Sequence, residues 1–146
     1  MKLECTWQEK MKFISRADGH LISMDAKSPI GDSSAMTPKQ LLLAGICGCT
    51  AMDVVGLLKK HKQTLKSLEI HGECDMTEGS HPIIFKEVRL KFKATGAMDS
   101  SVLLESVQLS QSKYCGVSAM VSKAVPISYT VELNGTLIGS GRAAFD

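Results

Sequence analysis

Two cysteines lie two residues apart in the apolar segment AGICGCTAMDVV, which covers residues 44–55. A cysteine packs like a small hydrophobic residue when buried, and its thiolate is a nucleophile and a metal ligand. At about 100° per residue on a helix, Cys47 and Cys49 point about 200° apart, so they neither share a pocket nor form a disulfide with each other. Because the other cysteines and the histidines form no metal-ligand motif, we expect no metal site, and we expect Cys47 to be a core residue.

A further cysteine, Cys115, falls where a short helix is predicted to begin, in the segment KYCGVSAM. A helix N-terminus and the neighbouring Lys113 both favour the thiolate, so the sequence predicts a lowered pKa for the Cys115 thiol. Cys5 and Cys74 lie on predicted strands, where we expect them to pack. For Cys49, both a core position and a reactive position stay open on these grounds.

The helix that carries the first cysteine pair has the clearest beginning in the chain. Thr37 can cap it, Pro38 suits its first position, and Gln40 completes a capping box. Residues 41–58 are apolar nearly all round, so we expect the helix to be central and buried. Three glycines, each costing about 1 kcal/mol relative to alanine in a helix, predict that another element packs closely against it. They are Gly45, Gly48 and Gly56.

The remaining patterns predict an α+β domain with the element order βββ-α-ββ-αα-ββ. Residues 3–8 alternate, with Leu3, Cys5 and Trp7 on a face that is predicted to be half-buried. Asn134-Gly135 predicts a hairpin turn between the last two strands. We expect residues 1–146 to form a single domain.

Composition excludes several classes of protein. The formal net charge of +2 gives little attraction for nucleic acid or an anionic membrane. The first residues lack the continuous apolar stretch of a signal peptide, and five cysteines match no disulfide framework, so we expect a cytoplasmic protein with reduced thiols. The long helix is the one membrane candidate, but a central Asp53 would cost about 2.5 kcal/mol or more in a bilayer. We therefore expect no membrane partner, and no cofactor.

Taken together, the segments TPKQLLLAGICGCTAMDVVGLL and KYCGVSAMVSKAV resemble the OsmC/Ohr family of bacterial thiol peroxidases. This family comprises osmotically inducible protein C-like and organic hydroperoxide resistance proteins. In it, a P-x-x-L-x-x-A-x-x-x-x-C helix and a later C-x-V-S-x segment supply two redox cysteines. The form C-T-A-M-D-V-V is most similar to the YhfA-like branch. The two motifs cover about a quarter of the chain, and the predicted order of elements fits throughout.

The resemblance implies an OsmC-like fold, in which antiparallel sheets surround the long central helices of an intertwined homodimer. It implies that Cys49 is the peroxidatic thiol and Cys115 the resolving thiol. An organic hydroperoxide would then be reduced through a Cys49 sulfenic acid and a disulfide, which a lipoyl-type dithiol would reduce. Arg16, just before a predicted hairpin turn, is the candidate for the family arginine that stabilises the thiolate and orients the peroxide.

The chain departs from the family pattern at a glutamate that follows the helix-start proline. Lys39 occupies that position and Gln40 follows it, so we expect weaker thiolate stabilisation than in an efficient family peroxidase. Asp53, one turn after Cys49, is interpreted as a hydrogen-bonded structural residue. Two alternatives stay open: a non-catalytic redox sensor or small-ligand-binding protein on the same scaffold, and another thiol enzyme, such as one that acts on a thioester.

Overall fold

The computed structural model describes all 146 residues and confirms the predicted order of elements. The strands are β1 (Glu4–Glu9), β2 (Lys12–Ala17), β3 (His20–Met24), β4 (Ser67–Met76), β5 (Phe85–Thr95), β6 (Ile127–Leu133) and β7 (Thr136–Arg142). The helices are α1 (Pro38–Lys60), α2 (Ser100–Leu109) and α3 (Gly116–Val121), with a π-helical turn at Ser110–Tyr114 between the last two. By its internal contacts the chain divides into two compact units, Met1–Leu42 and Leu43–Asp146. That they form one domain stays a prediction.

The first unit is built on an antiparallel sheet with the strand order β1-β2-β3. All six residues of β1 are exposed, and Trp7 keeps 60% of its surface accessible. The prediction of a half-buried β1 is therefore wrong for the single chain, and so is the prediction that Cys5 packs. The physical reason is that alternation decides which residues share a face of a strand, whereas covering that face takes a further element.

The predicted capping box begins α1. The backbone N–H of Thr37 donates to Oε1 of Gln40 at 2.8 Å, and the backbone N–H of Gln40 donates to Oγ1 of Thr37 at 3.3 Å. These reciprocal bonds satisfy two donors that the helix itself leaves without partners. Lys59 and Lys60 lie in the last turn, where cations complement the helix dipole.

Only one face of α1 is buried in the single chain. Ile46, Thr50, Val54 and Leu58 form a buried stripe with a spacing of four residues. The opposite face is open, and a Cβ atom added at each of its glycines would meet nothing within 4 Å. By length and apolar composition α1 resembles a membrane-spanning helix, with 22% of its apolar window buried. The predictions of an all-round buried helix and of a closely packed neighbour therefore fail within one chain, because the open face has no cover there.

The second unit contains a four-stranded sheet with the order β4-β5-β6-β7. The β4–β5 and β6–β7 pairs are antiparallel, as the resemblance implies, but β5 and β6 run parallel, so this sheet is mixed. The reason is the long crossover through α2, the π-helical turn and α3, since such a connection returns the chain in the same direction. One face of the sheet is buried, with Phe92 and Tyr129 packed edge to face at 6.3 Å between ring centroids.

Candidate functional site

Two of the five thiols meet where α1 approaches the beginning of α3. The Sγ atoms of Cys49 and Cys115 and a carboxylate oxygen of Asp53 all lie within 4.8 Å of one another. Cys115 is fully buried, whereas Cys49 and Asp53 are half-buried. The structure therefore brings together three of the residues singled out in the sequence, and it leaves Cys49 as the thiol that a solute reaches first.

The position of Cys115 depends on the π-helical turn that ends α2. The backbone N–H of Cys115 donates to the carbonyl of Ser110 at 2.9 Å, across that turn. The Cys115 backbone then becomes extended, and its side chain caps α3 by accepting the backbone N–H of Ser118 at 3.3 Å. π-helical turns are rare and occur frequently at functional sites, because they shift the residues that follow. Here the turn aims the Cys115 thiol at α1.

Burial raises the pKa of the Cys115 thiol above its ordinary value. Hydrogen bonds from Ser118 oppose this shift, and the adjacent Cys49 adds to it. The predicted lowering of this pKa is therefore wrong. Removing the thiolate from water costs more free energy than the N-terminus of one short helix contributes to its stabilisation. Lys113 is not among the groups that shift this pKa, and its Nζ lies over the ring of Tyr114, 5.6 Å from the centroid.

A directed chain of hydrogen bonds ends on Asp53. The Ser110 hydroxyl donates to Oδ2 of Asp53 at 2.9 Å, and Ser110 Oγ lies 2.7 Å from Thr50 Oγ1. Because the Ser110 hydroxyl donates its hydrogen bond to the carboxylate, its oxygen accepts a hydrogen bond from the Thr50 hydroxyl. Thr50 Oγ1 in turn accepts a hydrogen bond from Nε2 of Gln111 at 3.0 Å. Each donor thus points toward Asp53, which agrees with its interpretation as a hydrogen-bonded residue.

Gln111 connects this chain to the second thiol. Its Nε2 also donates to the hydroxyl of Ser118 at 3.2 Å, so its two amide protons serve Thr50 and Ser118. Its Oε1 is buried without a partner, an arrangement that costs about 1–3 kcal/mol and is rare in proteins. The sequence reasoning missed Thr50, Ser110, Gln111 and Ser118. The available signal was Thr50 itself, a polar residue in the middle of an apolar helix.

An open groove of about 460 Å³ adjoins Asp53. Its apolar lining comes from α1 and from the π-helical turn, and Tyr114 closes one side. The lining residues are Met52, Asp53, Gly56, Leu57, Lys60 and Tyr114. A groove of this composition suits a small apolar group beside Asp53.

Cys47 points away from the site toward the sheet. A Cβ atom added at Gly72 of β4 would come 2.6 Å from Cys47 Sγ, so the glycine makes room for this thiol. Burial raises the pKa of Cys47. Cys47 and Cys74 both pack against the hydrophobic core, as expected for structural cysteines.

Three further residues from the sequence analysis lie in the first unit. Arg16 is an exposed residue of β2, opposite Glu4 on β1. Lys39 is the second residue of α1 and is exposed, and the Gln40 side chain belongs to the capping box. The catalytic role of Arg16 and the effect of Lys39 stay predictions.

Three comparisons with known proteins bear on this site. The family model for OsmC-like protein matches residues 31–130. Protein YhfA of Escherichia coli is 34% identical over 135 residues, which cover 91% of this chain and 98% of YhfA. The crystal structure of a hypothetical protein from Aquifex aeolicus is 28% identical, with a TM-score of 0.82 and coverage of 91% of this chain and 95% of that one. The crystal structure of an organic hydroperoxide resistance protein from Elizabethkingia anophelis is 16% identical, with a TM-score of 0.67 and coverage of 92% of this chain and 97% of that one. At this identity the similarity is one of fold.

Proposed function

Because this chain belongs to the OsmC-like family, we propose that it is a thiol-dependent peroxidase that reduces organic hydroperoxides with Cys49 and Cys115. The observation that carries the proposal is the approach of the two Sγ atoms to within 4.8 Å, with only Cys49 partly exposed. The organic substrate class is suggested by the name of the Elizabethkingia anophelis protein, which shares the fold. A reducing compartment such as the cytoplasm is part of the proposal, because all five thiols are free.

In the first step, the Cys49 thiolate attacks the outer oxygen of the hydroperoxide. The O–O bond breaks, the leaving alkoxide takes up a proton and departs as an alcohol, and Cys49 becomes a sulfenic acid. Cys115 does not compete in this step, because its thiol is fully buried and its raised pKa keeps it protonated. The two thiols therefore differ in burial, and this difference leaves Cys49 as the one that reacts with the peroxide.

In the second step, the Cys115 sulfur attacks the sulfur of the Cys49 sulfenic acid. The S–O bond breaks, the hydroxyl group leaves as water with the proton from Cys115, and a disulfide forms. A dithiol of the lipoyl type then reduces the disulfide by thiol–disulfide exchange and is itself oxidised. The half-exposed Cys49 sulfur is the one that such a reductant can reach.

The groove beside Asp53 supports an organic substrate over hydrogen peroxide. Leu57 and Tyr114 offer apolar surface next to Asp53, which an alkyl or aryl group can cover. Each buried methylene group contributes about 0.8 kcal/mol. Hydrogen peroxide has no such group, so binding in the groove favours the organic hydroperoxide.

The test is peroxide consumption at steady state, with cumene hydroperoxide compared with hydrogen peroxide. Dihydrolipoamide, glutathione and thioredoxin serve in turn as reductants. We expect turnover with cumene hydroperoxide and dihydrolipoamide, no turnover for Cys49→Ser, and unchanged turnover for Cys47→Ser as the matched control. Equal loss in both serine variants would contradict the assignment of Cys49.

A redox sensor at the same thiol pair is the second candidate function. It is favoured by Lys39, which stands where the family pattern has a glutamate. A sensor would form one disulfide per chain with peroxide, and none of the three reductants would sustain turnover. The steady-state measurement therefore separates the two candidates.

We also propose a homodimer, with a second copy covering the open face of α1. Gly45, Met52 and Gly56 lie within about 40° of one another around the helix, opposite its buried stripe. Met52 keeps 77% of its surface accessible, which is unusual for a large apolar residue in the middle of a helix. A second α1 helix has the apolar, glycine-interrupted surface that matches this face.

A further inference from the structure

We propose that reduced Cys49 and Cys115, together with Asp53, form a binding site for a soft divalent metal ion such as Zn²⁺. The three ligand atoms already lie within 4.8 Å of one another. Zn–S bonds of about 2.3 Å and a Zn–O bond of about 2.1 Å place tetrahedral ligands roughly 3.6–3.8 Å apart, so small movements close the site. The expectation of no metal site rests on the opposite directions of Cys47 and Cys49 and on the lack of a ligand motif among the other cysteines and the histidines. The fold instead brings Cys115, which is distant in sequence, next to Cys49.

The donor set selects the type of metal. Two thiolates and one carboxylate suit Zn²⁺ and similar soft or borderline ions, whereas Mg²⁺ and Ca²⁺ take oxygen ligands. Cys49 and Asp53 are four residues apart on α1, so one helix presents two ligands side by side. Cys115 supplies the third from the cap of α3.

Neighbouring groups already hold two of the ligands. The Ser110 hydroxyl donates to Oδ2 of Asp53 at 2.9 Å, which orients the carboxylate. The backbone N–H of Ser118 donates to Cys115 Sγ at 3.3 Å. Metal sites generally depend on such supporting hydrogen bonds, which fix the direction of each ligand.

The burial of the three ligands leaves one side of the site open. Cys115 is fully buried, while Cys49 and Asp53 are half-buried, and Asp53 borders the groove. A tetrahedral ion held by these residues therefore has its fourth position toward solvent, where water binds. Three protein ligands and one open position are the arrangement of a reactive zinc site rather than of a closed structural one.

Metal binding and disulfide formation exclude each other. Binding replaces the two thiol protons with one Zn²⁺ ion, and two protons are released. If the proposed peroxidase reaction holds, the zinc dithiolate, one hydroperoxide and two protons yield the disulfide, an alcohol, water and free Zn²⁺. That second statement rests on the proposed function, whereas metal binding by the reduced chain does not.

The test uses the reduced full chain and Co²⁺, which reports thiolate ligation through a charge-transfer absorption, followed by displacement with Zn²⁺. We expect the absorption in the unsubstituted chain and in the controls Cys47→Ser and Cys74→Ser. We expect its loss in Cys49→Ser and in Cys115→Ser. Asp53→Asn should weaken Co²⁺ affinity by about tenfold or more. A loss of about tenfold is already typical when a residue that only hydrogen-bonds to a metal ligand is replaced, and a direct ligand should matter at least as much.

A second measurement needs no substitution. The unsubstituted chain is oxidised with diamide instead of a peroxide, so the outcome is independent of any peroxidase activity, and it should then no longer bind Co²⁺. Full binding after oxidation, or in Cys49→Ser or Cys115→Ser, would place the metal elsewhere and overturn the proposal. Unchanged affinity in folded Asp53→Asn would overturn the role of the carboxylate and with it the three-ligand site.

Discussion

The hydroxyl of Ser110 donates a 2.9 Å hydrogen bond to Oδ2 of Asp53, and this bond ties the π-helical turn after α2 to the middle of α1. The carbonyl of the same Ser110 accepts the backbone N–H of Cys115. One residue thus holds the partner thiol with its backbone and the neighbouring carboxylate with its side chain. The geometry around Cys49 depends on this junction.

Ser110→Ala should lower the free energy of unfolding by about 1–3 kcal/mol. The substitution leaves Asp53 without its hydroxyl donor, and it leaves the buried Thr50 hydroxyl without its acceptor. Urea unfolding followed by circular dichroism measures the change.

Ser112→Ala is the matched control for that experiment. Its hydroxyl donates to the carbonyl of Gln108 on the exposed side of the same segment, so its removal should change stability by less than about 0.5 kcal/mol. Equal effects of the two substitutions would mean that the Ser110 junction contributes nothing specific.

The two site thiols should differ in reactivity in the reduced, folded chain. Cys49 is half-buried, whereas Cys115 is fully buried and its pKa is raised. Iodoacetamide, which reacts with thiolates, should therefore modify Cys49 before Cys115, and the difference should vanish in urea. Mass spectrometry of the digested protein follows both sites. Faster modification of Cys115 would reverse the proposed order of the chemistry.

Stability should fall as the pH rises above neutral. Burial raises the pKa of Cys47, Cys115 and Tyr129 in the folded chain. Above the ordinary thiol pKa of about 8.5, the unfolded chain loses the thiol protons while the folded chain retains them, so the free energy of unfolding decreases. Tyr129 adds to this decrease at higher pH.

Urea unfolding in the presence of a reductant, at about pH 7.5 and about pH 9.5, measures this decrease on either side of the ordinary thiol pKa. Cys47→Ala removes one of the contributing thiols and should make the pH-dependent decrease smaller. A decrease of the same size in Cys47→Ala would show that this thiol does not contribute.

Much of the fold could be predicted from local patterns. The capping box gives the first residue of α1, and the alternation of ISYTVEL gives the bounds of β6, because both signals lie within a few neighbouring residues. The parallel β5–β6 pairing could not be predicted in this way, since it depends on how a long crossover packs. Exposure of β1 was missed for a similar reason, because an alternating strand does not reveal what covers it.

The two thiols that meet at the site could be singled out from the sequence, but their electrostatics and the hydrogen-bonded residues around them could not. Cys49 and Cys115 follow from motifs, and the structure brings their sulfur atoms together. The raised pKa of Cys115 depends on burial by residues distant in sequence, which the helix start and Lys113 do not reveal. The bonds of Thr50 and Gln111 cross about 60 residues of chain, so they emerge only from the fold.

The proposed dimer predicts that Gly56→Leu converts the protein to a monomer. In the single chain nothing lies within 4 Å of a Cβ atom at Gly56, and replacing a helical glycine should stabilise the helix by up to about 1 kcal/mol. Against a closely packed second copy, the leucine side chain would clash. Sedimentation at micromolar concentration measures the change, with Met52→Leu as a control of similar volume on the same face. A monomeric unsubstituted protein would contradict the proposal.

In the proposed reaction, one particular pair of thiols, Cys49 and Cys115, reduces the peroxide. Its most direct test is peptide mapping of the reduced chain after treatment with one equivalent of cumene hydroperoxide. We expect a Cys49–Cys115 disulfide together with one equivalent of the alcohol, while Cys5, Cys47 and Cys74 stay reduced. Consumption of the Cys47 thiol instead, or alcohol formation that leaves Cys49 reduced, would contradict it.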